Sequence, residues 1–216
     1  MRFRALLLVA VTGVACSTLP EGQRSTKPAA GPPEVQQETV ERHAAQFDEE
    51  EPVRPAGSQE ELAASAYIVA HLTDAGYVSR LDAVPVQDLV RSTNVVALPP
   101  GGAEPDVIVA VAYDSAQGSP PDGRAIGVWL EVARALRAVE PDHAVEFVAL
   151  GAEHADVAGG NLGSRRLARQ LTDEGRTPGV MVVDRVEEGP LAATGAAAAA
   201  LESEARALGY SFRGAA

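Results

Sequence analysis

Cysteine is nearly absent from this chain: 216 residues contain one, Cys16. Everything after it can form no disulfide and no thiolate metal centre, and needs no oxidant to fold. Aromatic residues are scarce at 4%, so alanine and valine must fill most of the interior around the lone tryptophan, Trp129. Basic residues are outnumbered, 18 against 30 acidic, for a formal net charge of −12. That excess repels nucleic acid and anionic lipid surfaces and excludes both as partners recognised through charge. The nearest thing to a basic cluster, Arg165, Arg166 and Arg169, is expected on a solvated helix face. No Gly-x-Ser-x-Gly elbow, phosphate loop or dinucleotide fingerprint occurs, and the pairs Gly101-Gly102 and Gly159-Gly160 fit none of them.

The N-terminus reads as a processing segment. Arg2 and Arg4 precede an apolar run from Ala5 to Val11, followed by Thr12-Gly13-Val14-Ala15-Cys16. This run is well short of the ~20 apolar residues that span a bilayer, and has the order of an export signal. Small residues leading into Cys16 resemble a bacterial lipobox, which implies cleavage before Cys16 and a diacylglycerol thioether on its sulfur; ordinary signal cleavage near Ala15 is the alternative. Ser17, in place of aspartate, points an anchored protein to the outer membrane in a Gram-negative cell. Without Arg2 and Arg4 the balance is 16 basic against 30 acidic residues. The expected organisation is a signal peptide over 1–16, a flexible Pro/Gly/Ser/Thr linker over 17–34, and one α/β domain over 35–216.

Within the domain, Val35 to Glu51 is helix-forming with an acidic end. Ser58 followed by Glu61 has the spacing of a capping box, starting a helix that buries Leu62, Ala66, Ile68 or Val69, and Leu72 and stops at Gly76. Strands are predicted over Tyr77–Val86, Thr93–Leu98, Asp106–Ala112, Ala144–Leu150 and Gly179–Val183, the last three apolar enough to be buried on both faces. Helices are predicted over Ile126–Val139, Leu162–Leu171 and Ala196–Leu208, and Tyr210-Ser211-Phe212 begins a further strand. Alternating β and α units call for a mostly parallel sheet with helices on both faces.

Ligands of open α/β sheets collect beyond the carboxyl ends of the strands. Three buried strands here lead into Asp114, Glu153-His154 and Asp184, and Asp122 sits in the loop after the first. Carboxylates gathered at one edge repel unless a cation or protons intervene, which suggests a metal. Each residue also has a plainer reading. His154 suits a solvated loop, Glu153 a cap for the next helix, Asp184 an ion pair with Arg185, and Asp122 a turn after Pro120-Pro121. His43, His71 and His143 lack ligand spacing and are expected to be structural or solvated.

Six segments in order resemble the di-zinc aminopeptidases, which include the bacterial leucyl aminopeptidases and the glutaminyl cyclase-like metallopeptidases. They are Arg54-Pro55-Ala56-Gly57-Ser58, Asn94-Val95-Val96-Ala97, Ala110 to Ser115, Asp122 five residues before Gly127, Leu130 to Arg134, and Phe147 to Glu153. The resemblance implies a three-layer α/β sandwich with a mixed, mostly parallel sheet, phosphorylase/hydrolase-like as in zinc exopeptidases and short at its C-terminus. Carried over by position, Glu153 is the general base, Asp122 the metal-bridging carboxylate, Asp184 a terminal ligand, and Asp114 the carboxylate that orients a ligating histidine. Where the family has that histidine this chain has Ala112. His154 stands in for the second glutamate, Gly123 for an acidic or amide residue, Ile126 for a serine, and no histidine follows His154. Asp122 with Asp184, or Asp122 with His154, supplies two protein ligands where catalytic zinc has three. The expectation is an exported lipoprotein with an aminopeptidase-like domain that binds or scaffolds in the cell envelope, holding zinc weakly or not at all. A peptide or an envelope protein would be its partner, besides the membrane reached through the lipid. The alternatives are an active peptidase with one ion on Asp122, His154 and Asp184, and a purely structural envelope protein.

Overall fold

The computed structural model describes residues 34–119, 122–139, 141, 143–156, 158–186, 195 and 198–207. The expected signal peptide, its Cys16 and nearly all of the linker lie outside the described residues, as do Tyr210-Ser211-Phe212.

Five strands form one mixed sheet: β1 Val78–Gln87, β2 Val90–Leu98, β3 Val107–Ala112, β4 Val145–Leu150 and β5 Gly179–Val183, in the order β1-β2-β4-β3-β5. β3, β4 and β5 run parallel, while β2 is antiparallel to β1 and β4. Among the described residues five α-helices accompany them: α1 Gln37–Ala45, α2 Gln59–Asp74, α3 Gly123–Val139, α4 Leu162–Asp173 and α5 Ala198–Ala207. A π-helical turn, Gln46–Glu50, continues α1.

The period-2 alternation of the parallel strands separates two cores. Val107, Val109 and Val111 of β3 join Phe147 and Ala149 of β4 in the larger one, packed against Phe47, Ile68 of α2 and Trp129 of α3. Ile108, Ala110, Val148 and Leu150 form the other with Leu167 of α4. Trp129 is the anchor the composition called for: it is fully buried, donates Nε1–H to the Val109 carbonyl at 2.9 Å, and meets Phe147 edge to face at 5.6 Å between ring centroids. Burying each large apolar side chain contributes roughly 1.5–3 kcal/mol.

Two burial expectations need correction. α2 buries Glu61, Ala64, Ser65, Ile68 and Leu72, a face rotated from the one expected, with Leu62 67% exposed. The rotation follows from Glu61, whose carboxylate is drawn inward to polar partners described below. β5 was expected to be covered on both faces, yet Val180 and Val182 are 55% and 59% exposed. Among the described residues β5 pairs only with β3, and α4 packs toward β2, β3 and β4 rather than over β5.

After β3 the chain crosses through α3 to β4 on one side. After β4 it crosses through α4 to β5 on the far side of β3. Successive crossovers thus lie on opposite faces and run in opposite directions, which opens a crevice at the carboxyl ends of β3 and β4, where such sheets bind ligands.

Candidate functional site

Asp114 follows β3 at the floor of this crevice and is buried. One carboxylate oxygen accepts the Glu153 N–H and the other the His154 N–H, both at 2.8 Å. Asp114 therefore ties the end of β3 to the loop after β4. The role inherited by resemblance was to orient an imidazole in place of Ala112; here the carboxylate organises backbone instead.

His154 turns back over the same residue, with Nδ1 3.0 Å from the Asp114 carbonyl oxygen. Its ring is half exposed, and its pKa is raised to about 8 by the hydrogen bond and charge of Asp114 against the opposing effect of burial. Glu153 accepts the backbone N–H of Ser164 at 2.6 Å. That N–H is one of the orphan donors of the α4 N-terminus, and Asn161, in a left-handed conformation at φ 52°, caps none of them with its side chain. Glu153 is thus a helix cap, the plainer of its two sequence readings.

Asp122 supplies the carbonyl that accepts the first bonds of α3, from Ala125 and Ile126. Its carboxylate turns to Arg54, with Oδ1 2.6 Å from Nη2. Arg54 is fully buried, and its guanidinium donates also to the carbonyls of Tyr113 at 2.7 Å, Phe47 at 2.8 Å and Glu51. Burial nevertheless pushes the Asp122 pKa up, outweighing the attraction of Arg54. Asp184 lies exposed beyond β5. Among the described residues no group of three or more His, Cys, Asp or Glu side chains converges as a metal site requires. Asp114, Glu153 and His154 are brought together, with Asp122 close enough to influence His154 electrostatically; Asp184 is not joined to them. Asp114 spends both carboxylate oxygens on backbone N–H groups, while Asp122 and Glu153 each spend one oxygen on a protein N–H.

Sequence reasoning passed over three organisers of the site. Arg54 stands in the Arg-Pro-Ala-Gly-Ser segment with nothing in the sequence to mark its role. Glu61 was read only as half of a capping box, and Ser58 does accept the Glu61 N–H at 3.1 Å. The Glu61 carboxylate, however, bonds Gly57 N–H, the Ser92 hydroxyl and Ala152 N–H, and burial raises its pKa. Asn94 accepts Gly151 N–H at 3.1 Å and donates to the Gly163 carbonyl at 3.0 Å, so it joins the end of β4 to the start of α4. Only Asn94 leaves a signal in the sequence, since an amide at the head of the apolar run Val95 to Leu98 needs partners once that strand is buried.

No family profile matches the chain, and no curated protein matches it by sequence. Solved structures do match. A candidate Zn-dependent exopeptidase from Bacteroides vulgatus superposes with a TM-score of 0.67 at 20% identity, covering 85% of this chain and 80% of its own. A leucine aminopeptidase precursor from Bacteroides thetaiotaomicron gives 0.59 at 14% identity, over 69% of this chain and 62% of its own. The Tannerella forsythia glutaminyl cyclase gives 0.52 at 15%, over 62% and 56%. The chain thus spans less than two thirds of the last two. These likenesses establish the fold: a mixed-sheet α/β domain of the kind found in zinc exopeptidases and glutaminyl cyclases, peptidase-like in architecture.

Proposed function

We propose that this protein is an exported lipoprotein, anchored through Cys16, whose peptidase-like domain binds or scaffolds in the cell envelope and does not hydrolyse peptides. One observation carries the reading: three of the side chains in the resembled catalytic and metal-binding set, Glu153, Asp114 and Asp122, are engaged in holding the protein itself. Glu153 caps α4, Asp114 clamps two backbone N–H groups, and Asp122 pairs with Arg54. Ala112, at the tip of β3, has no donor atom. The crevice between β3 and β4 remains as a place for a peptide or protein segment to dock.

The test is metal content together with hydrolysis. The mature protein, dialysed against zinc and then against buffer, is expected to keep no stoichiometric metal and to leave aminoacyl anilides intact. Bound zinc at one ion per chain, with hydrolysis abolished by a chelator, overturns the reading. The double variant Ala112→His, His154→Glu is expected to gain zinc affinity if the site descends from a two-metal centre. For the anchor, Cys16→Ser is expected to move the protein from the membrane fraction to the soluble one. Co-purification of a specific envelope component separates a binder from an inert structural domain.

A second reading has one specific support. The His154 ring is partly exposed and its Nδ1 is fixed by a backbone carbonyl, the arrangement that commonly orients zinc-binding imidazoles. In that reading one ion sits on His154, Asp122 and Asp184, with Glu153 as base, and the same zinc experiment decides between the two.

A further inference from the structure

α1 lies across the start of α3 in backbone contact. The Val40 carbonyl sits 2.6 Å from where a Cβ at Gly127 would be, and the Ala44 carbonyl 2.5 Å from one at Gly123. The π-helical turn that continues α1 reaches the candidate site directly. Asp48 Oδ1 accepts the Gly123 N–H at 2.8 Å and so caps α3, while the Phe47 and Glu51 carbonyls hold the guanidinium that grips Asp122. The seat of α1 and the geometry of Asp122 are therefore mechanically joined.

A histidine lies at the middle of that seat. His43 is 4% exposed, bonds the Tyr67 hydroxyl through Nδ1 at 2.8 Å, and packs edge to face on His71 of α2 at 4.6 Å between ring centroids. The charged groups around it come from every packed element. α1 brings Arg42, the π-helical turn brings Glu50 toward Tyr67, and α2 brings His71 with Asp74 behind it. α3 brings Glu131, whose Oε1 and Oε2 take Arg134 at 2.8 and 2.9 Å and whose Oε2 also takes the Gln36 N–H at 3.0 Å. The carboxylate that α3 brings near His43 is thus already paired with Arg134, and the hydrogen bond that the His43 ring makes is to the neutral Tyr67 hydroxyl.

We propose that α1 and the turn after it form an acid-released latch, seated on Gly123 and Gly127 of α3 only while His43 is uncharged, whose opening loosens the Arg54–Asp122 pair. Burial, then the neighbouring His71, holds the His43 pKa down at about 4 from 6.5. A group depressed in this way destabilises its docked state as pH falls through 6.5, and the loss grows until about pH 4. Between pH 7 and pH 5 the opening equilibrium of α1 rises about 20-fold by this linkage. His71, also lowered by burial, acts in the same direction.

The test is hydrogen exchange on the full mature chain, followed in peptides spanning 37–50 and corrected for the intrinsic pH dependence of exchange. The wild type is expected to lose α1 protection by about 20-fold from pH 7 to pH 5, and His43→Phe to lose much less. Equal protection of wild-type α1 at both pH values overturns the latch, as does an identical loss in His43→Phe. Because that variant can fail to fold, the His43 ring is also titrated by NMR in the wild type. Titration near 4 coinciding with loss of α1 protection supports the proposal, and titration at 6 or above overturns it.

Discussion

Replacing Arg54 with methionine is the most informative perturbation of this fold. The side chain is fully buried, and one guanidinium serves a carboxylate and three carbonyls drawn from three separate stretches of chain. Methionine fills much of the volume of the stem, so the lost energy is mainly polar. Removing one partner of a buried pair costs about 3–5 kcal/mol, because the other charge is left desolvated. Orphaned carbonyls add to this, less than additively, since the loop over 46–54 can relax toward water. A domain of ordinary stability, about 5–15 kcal/mol, would be left only marginally folded. In urea, with a slope of about 2 kcal/mol/M, the midpoint is expected to fall by about 2 M.

The penalty should also carry a sign with pH. Without Arg54, Asp122 loses its favourable neighbour while its burial remains, so its folded pKa rises further above the unfolded value. A carboxyl shifted upward costs stability as pH rises, and Arg54→Met is therefore expected to be more damaging at pH 8 than at pH 5.5. Adding Asp122→Asn should cost clearly less in the Arg54→Met background than in the wild type, a coupling of at least about 1.5 kcal/mol. Arg54→Lys should rescue little, since one ammonium on a flexible stem cannot reproduce the fork. A loss below about 1 kcal/mol, or additive single variants, would refute the idea that Arg54 organises the site.

Gly127→Ala should destabilise by about 1–3 kcal/mol, because the new methyl meets the Val40 carbonyl at 2.6 Å and α1 must lift, readable as a lowered thermal midpoint. Glu153→Ala should cost about 1 kcal/mol through the lost α4 cap, while Glu153→Gln, which keeps an accepting oxygen, should cost little; a urea titration of both variants checks this. Asn94→Leu should exceed either, at about 2–3 kcal/mol, since it strands the buried Gly151 N–H and the Gly163 carbonyl together.

The strands were legible because their runs are short, apolar and β-branched, and β3, β4 and β5 fall within a residue of where the pattern puts them. Periodicity locates an element but not what covers it. It therefore misjudged β5, whose apolar side chains would look the same in a covered strand or in an edge strand. Leu62 was misplaced for a related reason: hydrophobicity alone sets the wrong face when a buried carboxylate, Glu61, has three partners waiting. Asp114 follows β3 and Glu153-His154 follow β4, where the strand pattern puts them. Their partners were hidden, because Asp114 and Glu153 bond backbone N–H groups, and backbone leaves no trace in the side-chain alphabet.

The segments that resemble an aminopeptidase and the positions that depart from one divide along a physical line. Arg54, Asn94 and Asp114 lie in the matching segments, and each spans two loops with buried hydrogen bonds; their substitution would unhinge the crevice whatever its chemistry. The departures from the resembled motif include Ala112, Gly123, Ile126 and His154. Two of them have a packing reason of their own. At Gly123 any Cβ would collide with the Ala44 carbonyl, and Ile126 is fully buried in the same core as Val40 and Phe47. A polar residue at either position would have to displace α1 or be buried without a partner. The N-terminal helix thus accounts for two changes that, taken singly, read only as losses from a metal site. It also constrains any metal site built on this scaffold, because a side chain placed at 123 would have to displace α1 or the turn after it.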